Sequence, residues 1–145
     1  MGVQKYFKEA DKLQITNAIR VAELNTSGEI RIHIENKCGG DVLDRAAYLF
    51  EKLEMHKTAL RNGVLFYLAV EDRKFAILGD AGINQKVPGN FWESTKEVVI
   101  AKLKEGRISE GLADGIIKAG EQLKAHFPYR EDDVNELSDE ISFGK

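Results

Sequence analysis

The chain has 145 residues, of which 43% are hydrophobic and 31% are charged, and its formal net charge is −3. These values are typical of one globular domain with a buried core. The acidic balance excludes nucleic acid as the main partner, because phosphate binding needs clustered Lys and Arg, whereas it is compatible with cations.

The first half of the chain predicts a helix followed by a strand. Apolar residues recur at helical spacing through residues 5–25,. Residues 29–35 then alternate, with three isoleucines facing one way and Glu29, Arg31, His33 and Glu35 the other. This alternation predicts a strand with one solvent-exposed face near a sheet edge.

A second helix and a hairpin follow. Asp41 is a plausible N-cap for a helix with an apolar face from Leu43 to Leu53,. The unbroken apolar run over residues 64–70 predicts a central strand,. The short polar connection 71–74 leads into residues 75–78, so these two strands are predicted to pair antiparallel.

The last part of the core predicts a long loop and two helices. The loop runs from Gly79 to Gly89, a helix containing Trp92 follows, Gly106 ends it, and Ser109 caps the next helix,. Three glycines on that helix lower its propensity, which close packing would explain. The order α-β-α-β-β-α-α predicts an α/β fold, a three-layer αβα sandwich around a small mixed β-sheet.

We predict a core domain over residues 1–128 and an acidic C-terminal tail, residues 129–145, that is flexible or docks onto the domain,. The longest apolar run is too short to cross a bilayer, and the N-terminus lacks a signal-like apolar stretch. A cytoplasmic location without an integral membrane segment is therefore expected.

Chain direction brings three distant polar segments to one rim of the sheet. The crossover between the first two strands should be right-handed and parallel, and the hairpin then reverses direction. The starts of strands one and two and the end of strand three therefore share a rim. Glu29, Asn62, Asp80 and Asn84 stand at these positions.

Carboxylate and amide oxygens on glycine-bearing loops suit a hard cation such as Ca²⁺ or Mg²⁺, which relieves the repulsion between the two carboxylates. We predict Glu29 and Asp80 as ligands, with Asn62 and Asn84 as weaker ones. Glu93 is either a further ligand or an acid at a helix N-terminus. Alternatively, Arg61 pairs with Asp80 or Glu29, and the Asn and Asp residues serve the turns.

The segment from Arg61 to Asn84 resembles the hallmark segment of TPM domains, as does the later pattern of Gly106, Gly111-Leu112 and Gly120. The resemblance covers about residues 10–128 and identifies a stand-alone TPM domain. It implies an αβα sandwich. It also implies divalent-cation binding, calcium in particular, and a weak acid phosphatase activity proposed for plant members. Many members are tethered to a membrane and assist a membrane complex.

Two departures separate this chain from the family pattern. Many relatives carry Asp at the position of Arg61, and relatives commonly have a signal or membrane anchor that this sequence does not show. We therefore expect a non-enzymatic module whose loops are ordered by calcium or magnesium and which then binds a protein partner. A weak metal-dependent phosphatase is the alternative. The opposite rim, with Gly39, Gly40 and Asp41, is a competing site for an anion.

Overall fold

The computed structural model of the chain describes residues 3–129 and 136–144. A short 3-10 helix over Val3–Tyr6 precedes the regular elements. These are α1 (Glu9–Asn25), β1 (Glu29–Glu35), α2 (Val42–Lys52), β2 (Gly63–Ala69), β3 (Lys74–Gly79), α3 (Ala81–Asn84), α4 (Glu93–Lys104), α5 (Ile108–Leu123) and β4 (Ser142–Phe143).

The strands form one mixed sheet in the order β3-β2-β1-β4. Strands β1 and β2 are parallel, with Glu29 opposite Gly63, and β2 and β3 are antiparallel, with Val64 opposite Gly79. The predicted crossover and hairpin are therefore confirmed. The fourth strand comes from the tail and pairs parallel to β1, with His33 opposite Ser142.

Helices cover both faces of the sheet and make the predicted three layers. The larger core lies between the sheet and helices α1, α4 and α5, and it contains Ile30, Ile32 and Ile34 of β1. The smaller core lies between the sheet and α2, where Phe50 packs with Tyr67 of β2. The alternation along each strand divides its side chains between these two cores.

The predicted solvent-exposed face of β1 is wrong. Glu29, His33 and Glu35 are only 4%, 5% and 3% exposed. The reason is that α2 and the tail cover this face, and that β1 lies between β2 and β4 rather than at an edge. Polar alternation indicates two different faces, but it cannot show whether the polar face meets water or a buried polar network.

Two local features also differ from the sequence prediction. The loop after Gly79 contains the short helix α3, for which the Asp80 side chain accepts a hydrogen bond from the Ala81 N–H. Helix α5 begins at Ile108 without a side-chain cap, and the Ser109 hydroxyl instead donates to Asp11 Oδ1 at 3.0 Å. Asp41 does cap α2 by accepting from the N–H groups of Leu43 and Asp44.

Glycines on α5 do mark close packing, but the nearest contacts are with helices α1 and α4 rather than with the sheet. A Cβ atom at Gly115 would lie 2.3 Å from Val99 Cγ2, and one at Gly120 would lie 2.7 Å from Ala22 Cβ. Both distances are far below van der Waals contact, so only hydrogen fits there. The gain in packing between α5, α1 and α4 offsets the low helix propensity of glycine.

The described part of the tail, residues 136–144, lies against the domain. Leu137 is 8% exposed in the smaller core, and Gly144 N donates to Ile34 O at 2.8 Å. Residues 130–135 of the predicted tail are outside the described residues, and a domain boundary at residue 128 stays a prediction. Across residues 3–129 and 136–144, none of the helices has the length and apolar character needed to cross a bilayer.

Candidate cation site at the rim of the sheet

The rim that was predicted from chain direction exists. Main-chain hydrogen bonds tie its parts together: Glu29 N donates to Asn62 O at 3.1 Å, and Asp80 N donates to Gly63 O at 2.9 Å. The structure thus brings Glu29, Asn62, Asp80 and Asn84 to one rim, which we call the Glu29 rim.

Asp80 already has a cationic partner. Arg61 donates from Nε to Asp80 Oδ2 at 2.8 Å and from Nη2 to Oδ1 at 2.7 Å, a bidentate pair,. The Asp80 side chain is 5% exposed, whereas that of Arg61 is 50% exposed. The pairing of Arg61 with Asp80, one of the alternatives from the sequence, is what the structure contains.

The two asparagines differ in how their side chains are satisfied. Asn62 Nδ2 donates to Ser27 O at 3.0 Å, while its buried Oδ1 has no hydrogen-bond partner. Asn84 Nδ2 donates to Gly79 O at 3.1 Å. Glu93 is exposed in the first turn of α4, the position of a helix N-terminal acid,. Asn62 therefore offers a free carbonyl oxygen at the rim.

Glu29 is buried next to the tail. Its Oε1 accepts a hydrogen bond from Leu137 N at 2.7 Å. Burial raises the pKa of Glu29 to about 7, although the N–H groups of Leu137 and Glu136 partly oppose this rise, and the Glu136 carboxylate adds to it. Among the described residues, no Lys or Arg forms an ion pair with Glu29.

Glu23 at the end of α1 extends this group of acids. Burial raises the pKa of Glu23 to about 9, with contributions from a hydrogen bond and repulsion involving Asp139 and from the charge of Glu29. We call Glu23, Glu29, Glu136 and Asp139 the acidic cluster. Sequence reasoning missed three of these four residues, although the run of acidic residues in the tail was the available signal.

Apolar groups fill the space between Glu29 and Asp80. Strand β2 separates β1 from β3, so the two backbones lie two strand spacings, about 10 Å, apart,. A Cβ at Gly63, midway between them, would lie 3.2 Å from Met55 O and 3.4 Å from Leu137 Cδ1. Within residues 3–129 and 136–144, no three His, Cys, Asp or Glu side chains are arranged to hold a metal ion.

A cavity of about 450 Å³ opens beside the Asp80 side of the rim. Its lining includes Arg61, Asp80 and Asn84, together with Glu51 near the end of α2 and His56 beyond it. Arg61 is half exposed at this cavity, whereas the Asp80 side chain is almost fully covered.

A second buried polar group lies at the opposite end of β1. Arg45 donates to both carboxylate oxygens of Glu35 at 2.9 Å, Tyr67 donates its hydroxyl to Glu35, and the His33 ring bridges Glu35 and Ser142. Burial alone would raise the pKa of Glu35, but the hydrogen bonds from Arg45, Tyr67 and His33 lower it to about 2. The charge of Glu35 is therefore compensated within this network.

The fold and the rim define an α/β sandwich domain with an acidic site at one edge of its sheet. The chain belongs to the TPM domain family, whose model matches residues 3–122. This confirms the resemblance found in the sequence.

Solved structures agree with this assignment. The NMR structure of the BA42 protein from the psychrophilic bacterium Bizionia argentinensis is 46% identical, with 98% of each chain covered and a TM-score of 0.92. The N-terminal domain of a P. gingivalis protein is 16% identical, covering 89% of this chain and 84% of that one, with a TM-score of 0.71. The N-terminal domain of the cg2496 protein from Corynebacterium glutamicum is 11% identical, covering 96% of this chain and 82% of that one, with a TM-score of 0.67. The last two show a shared fold alone. No curated protein matches the chain.

Proposed function

We propose that the protein is a non-enzymatic module that binds a divalent cation, calcium or magnesium, at the Glu29 rim and thereby orders the segments around it for a protein partner. The observation that carries the proposal is the buried carboxylate of Glu29, which has no Lys or Arg partner among the described residues and lies at the same rim as the unpartnered Asn62 Oδ1. A bound divalent ion would compensate the charge of that carboxylate. A cytoplasmic location remains part of the proposal.

Glu29 is the central ligand in this proposal. The unpartnered Oδ1 of Asn62 supplies a neutral oxygen, and the main chain of the tail supplies others. Asp80 and Asn84 are the weaker candidates, because strand β2 lies between them and Glu29 and because Arg61 already binds Asp80.

The proposal is tested by titrating the protein with CaCl₂ and with MgCl₂ while recording amide NMR spectra. We expect saturable shifts at residues 23, 29, 62 and 136–139 for the wild type. Glu29→Gln keeps an oxygen for the Leu137 N–H but removes the charge, so it should weaken binding at least about tenfold. The exposed Asp114→Asn on α5 is the matched control and should bind as the wild type does.

The variant Asp80→Asn separates the two halves of the rim. A loss of affinity comparable to that of Glu29→Gln would place Asp80 among the ligands, whereas wild-type affinity would restrict the site to the Glu29 side. Spectra that do not respond to either ion up to millimolar concentration would refute the proposal.

A weak metal-dependent phosphatase is the second candidate, and the cavity beside Arg61 and Asp80 is the observation that favours it. There Arg61 would hold a phosphate group and a metal-activated water would attack it. Hydrolysis of p-nitrophenyl phosphate that requires the metal and is lost in Asp80→Asn would favour this reading over the non-enzymatic one.

A further inference from the structure

A second, larger cavity lies at the edge of the sheet opposite the Glu29 rim. Its volume is about 670 Å³, within the range of small-molecule sites,. It is bounded by the end of β2, the β2–β3 turn and the connection between α4 and α5. The lining residues used below are Leu68, Val70, Phe75, Ile100, Leu103 and Ile108, with Arg73, Lys74 and Lys104.

The inner wall of this cavity is apolar. Leu68 and Phe75 are buried at its base, at 2% and 9% exposure. Val70, Ile100, Leu103 and Ile108 are partly buried and surround them. Strand β3 is an edge strand, and among the residues that the structure describes no further strand pairs with it on this side of the domain. The wall therefore presents branched aliphatic side chains to a ligand.

The mouth of the cavity is cationic, although the chain as a whole is acidic, with a net charge of −3. Arg73, Lys74 and Lys104 line it. Lys74 Nζ donates to Gly40 O at 3.0 Å. Neither Arg73 nor Lys104 forms an ion pair with any described residue. Arg73 adopts a φ of 55°, a left-handed conformation that is uncommon for a residue with a side chain,.

We infer that this cavity binds a small anionic amphiphile, a carboxylate that carries an unbranched alkyl chain. The carboxylate contacts Arg73 and Lys104 at the mouth, and the alkyl chain packs against the aliphatic wall. Charge complementarity selects the anion, and the shape and polarity of the wall select the chain. The position agrees with the preference of α/β sheets for ligands at the carboxyl ends of parallel strands.

Octanoate is the ligand for the test, since it stays monomeric at millimolar concentration. In amide NMR titrations we expect saturable shifts confined to residues 68–75 and 100–108. Octanol has the chain without the charge and acetate has the charge without the chain, so each should bind at least about tenfold more weakly. Absence of saturable shifts with octanoate, or equal binding of octanol, would overturn the inference.

Variants that lack the cationic side chains test whether the mouth of the cavity binds the carboxylate. The double variant Arg73→Gln and Lys104→Gln should lower the affinity for octanoate at least about tenfold. Its matched control is Arg20→Gln with Lys124→Gln, which removes the same charges at exposed positions outside the cavity. An equal loss in both double variants would show unspecific attraction and refute the site. The dispersion of the amide resonances shows whether each variant is folded. No CaCl₂ is added, so the result does not depend on the cation proposal.

Discussion

At the scale of single residues, the charge state of Glu23 at neutral pH differs between the folded and the unfolded chain. Its carboxyl is buried beside Asp139 and near Glu29, and one of its oxygens has no hydrogen-bond partner. Burial and the neighbouring acids therefore keep its proton on at neutral pH. The consequence is a pH-dependent stability.

We predict that the wild type loses stability between pH 7 and 9. The pKa of Glu23 is about 9 in the folded state and 4.5 when unperturbed, so in this window the folded state holds a proton that the unfolded state has released. The free energy of unfolding therefore falls as pH rises, by up to about 1.4 kcal/mol per pH unit, and levels off above pH 9.

Urea unfolding at pH 7, 8 and 9 measures this slope, which Glu23→Gln should abolish and the exposed Glu121→Gln should keep. The range from pH 7 to 9 largely excludes the titration of two other buried groups. Glu29 titrates near pH 7, and burial lowers the pKa of His33, so that both act mainly at lower pH. The same slope in wild type and Glu23→Gln would show that Glu23 is charged in the folded protein.

At the scale of elements, the contact between α1 and α5 depends on glycine. The atoms that oppose a side chain at Gly120 are Ala22 Cβ, Cα and O, at 2.7, 2.8 and 3.1 Å from the position of a Cβ. Two of these belong to the main chain, so they cannot move without displacing helix α1. The helix pair therefore has little tolerance for even one methyl group.

We predict that Gly120→Ala lowers the free energy of unfolding by about 2 kcal/mol. The strain of overpacking outweighs the gain of up to about 1 kcal/mol in helix propensity. Urea unfolding compares it with Gly89→Ala, where no atom lies within 4 Å of an added Cβ and the change should stay below about 0.5 kcal/mol,. Equal stability of the two variants would mean that the helices separate at little cost.

At the scale of the whole molecule, the tail completes the domain. Leu137 fills the smaller core over Gly63, its N–H binds Glu29, and β4 extends the sheet beside β1. The tail thus contributes apolar contact, hydrogen bonds and two members of the acidic cluster at once. Docking of this segment and the charge of the rim are consequently coupled.

Leu137→Ala should destabilise the protein by about 2–3 kcal/mol, because it removes a buried side chain and leaves a cavity beside Gly63 and Met55,. The control Leu24→Ala, at a residue that is 69% exposed, should change stability by less than about 0.5 kcal/mol,. Thermal or urea unfolding measures both. A Leu137→Ala variant as stable as the control would show that the tail contributes little to the fold in solution.

The sequence predicted the part of the candidate site that depends on the course of the main chain. Chain direction placed Glu29 and Asp80 at one rim, because parallel crossover and hairpin connections leave few alternatives. The sequence offered the pairing of Arg61 with Asp80 only as one of two alternatives, and it did not indicate the partner of Glu29. Leu137 reaches Glu29 across 108 positions of sequence. Such contacts depend on rotamers and on packing between distant segments, which no local pattern encodes.

The sequence by itself determined the four long helices, the first three strands, their order and the three-layer arrangement, since periodicity, turn residues and chirality act locally. Tertiary structure alone decided that the polar face of β1 is buried, that two residues of the tail form the fourth strand, and that acids from α1, β1 and the tail converge. The physical reason is that burial and charge repulsion are properties of the assembled molecule. The same glutamate has an ordinary pKa in water and a strongly raised pKa when a docked segment buries it.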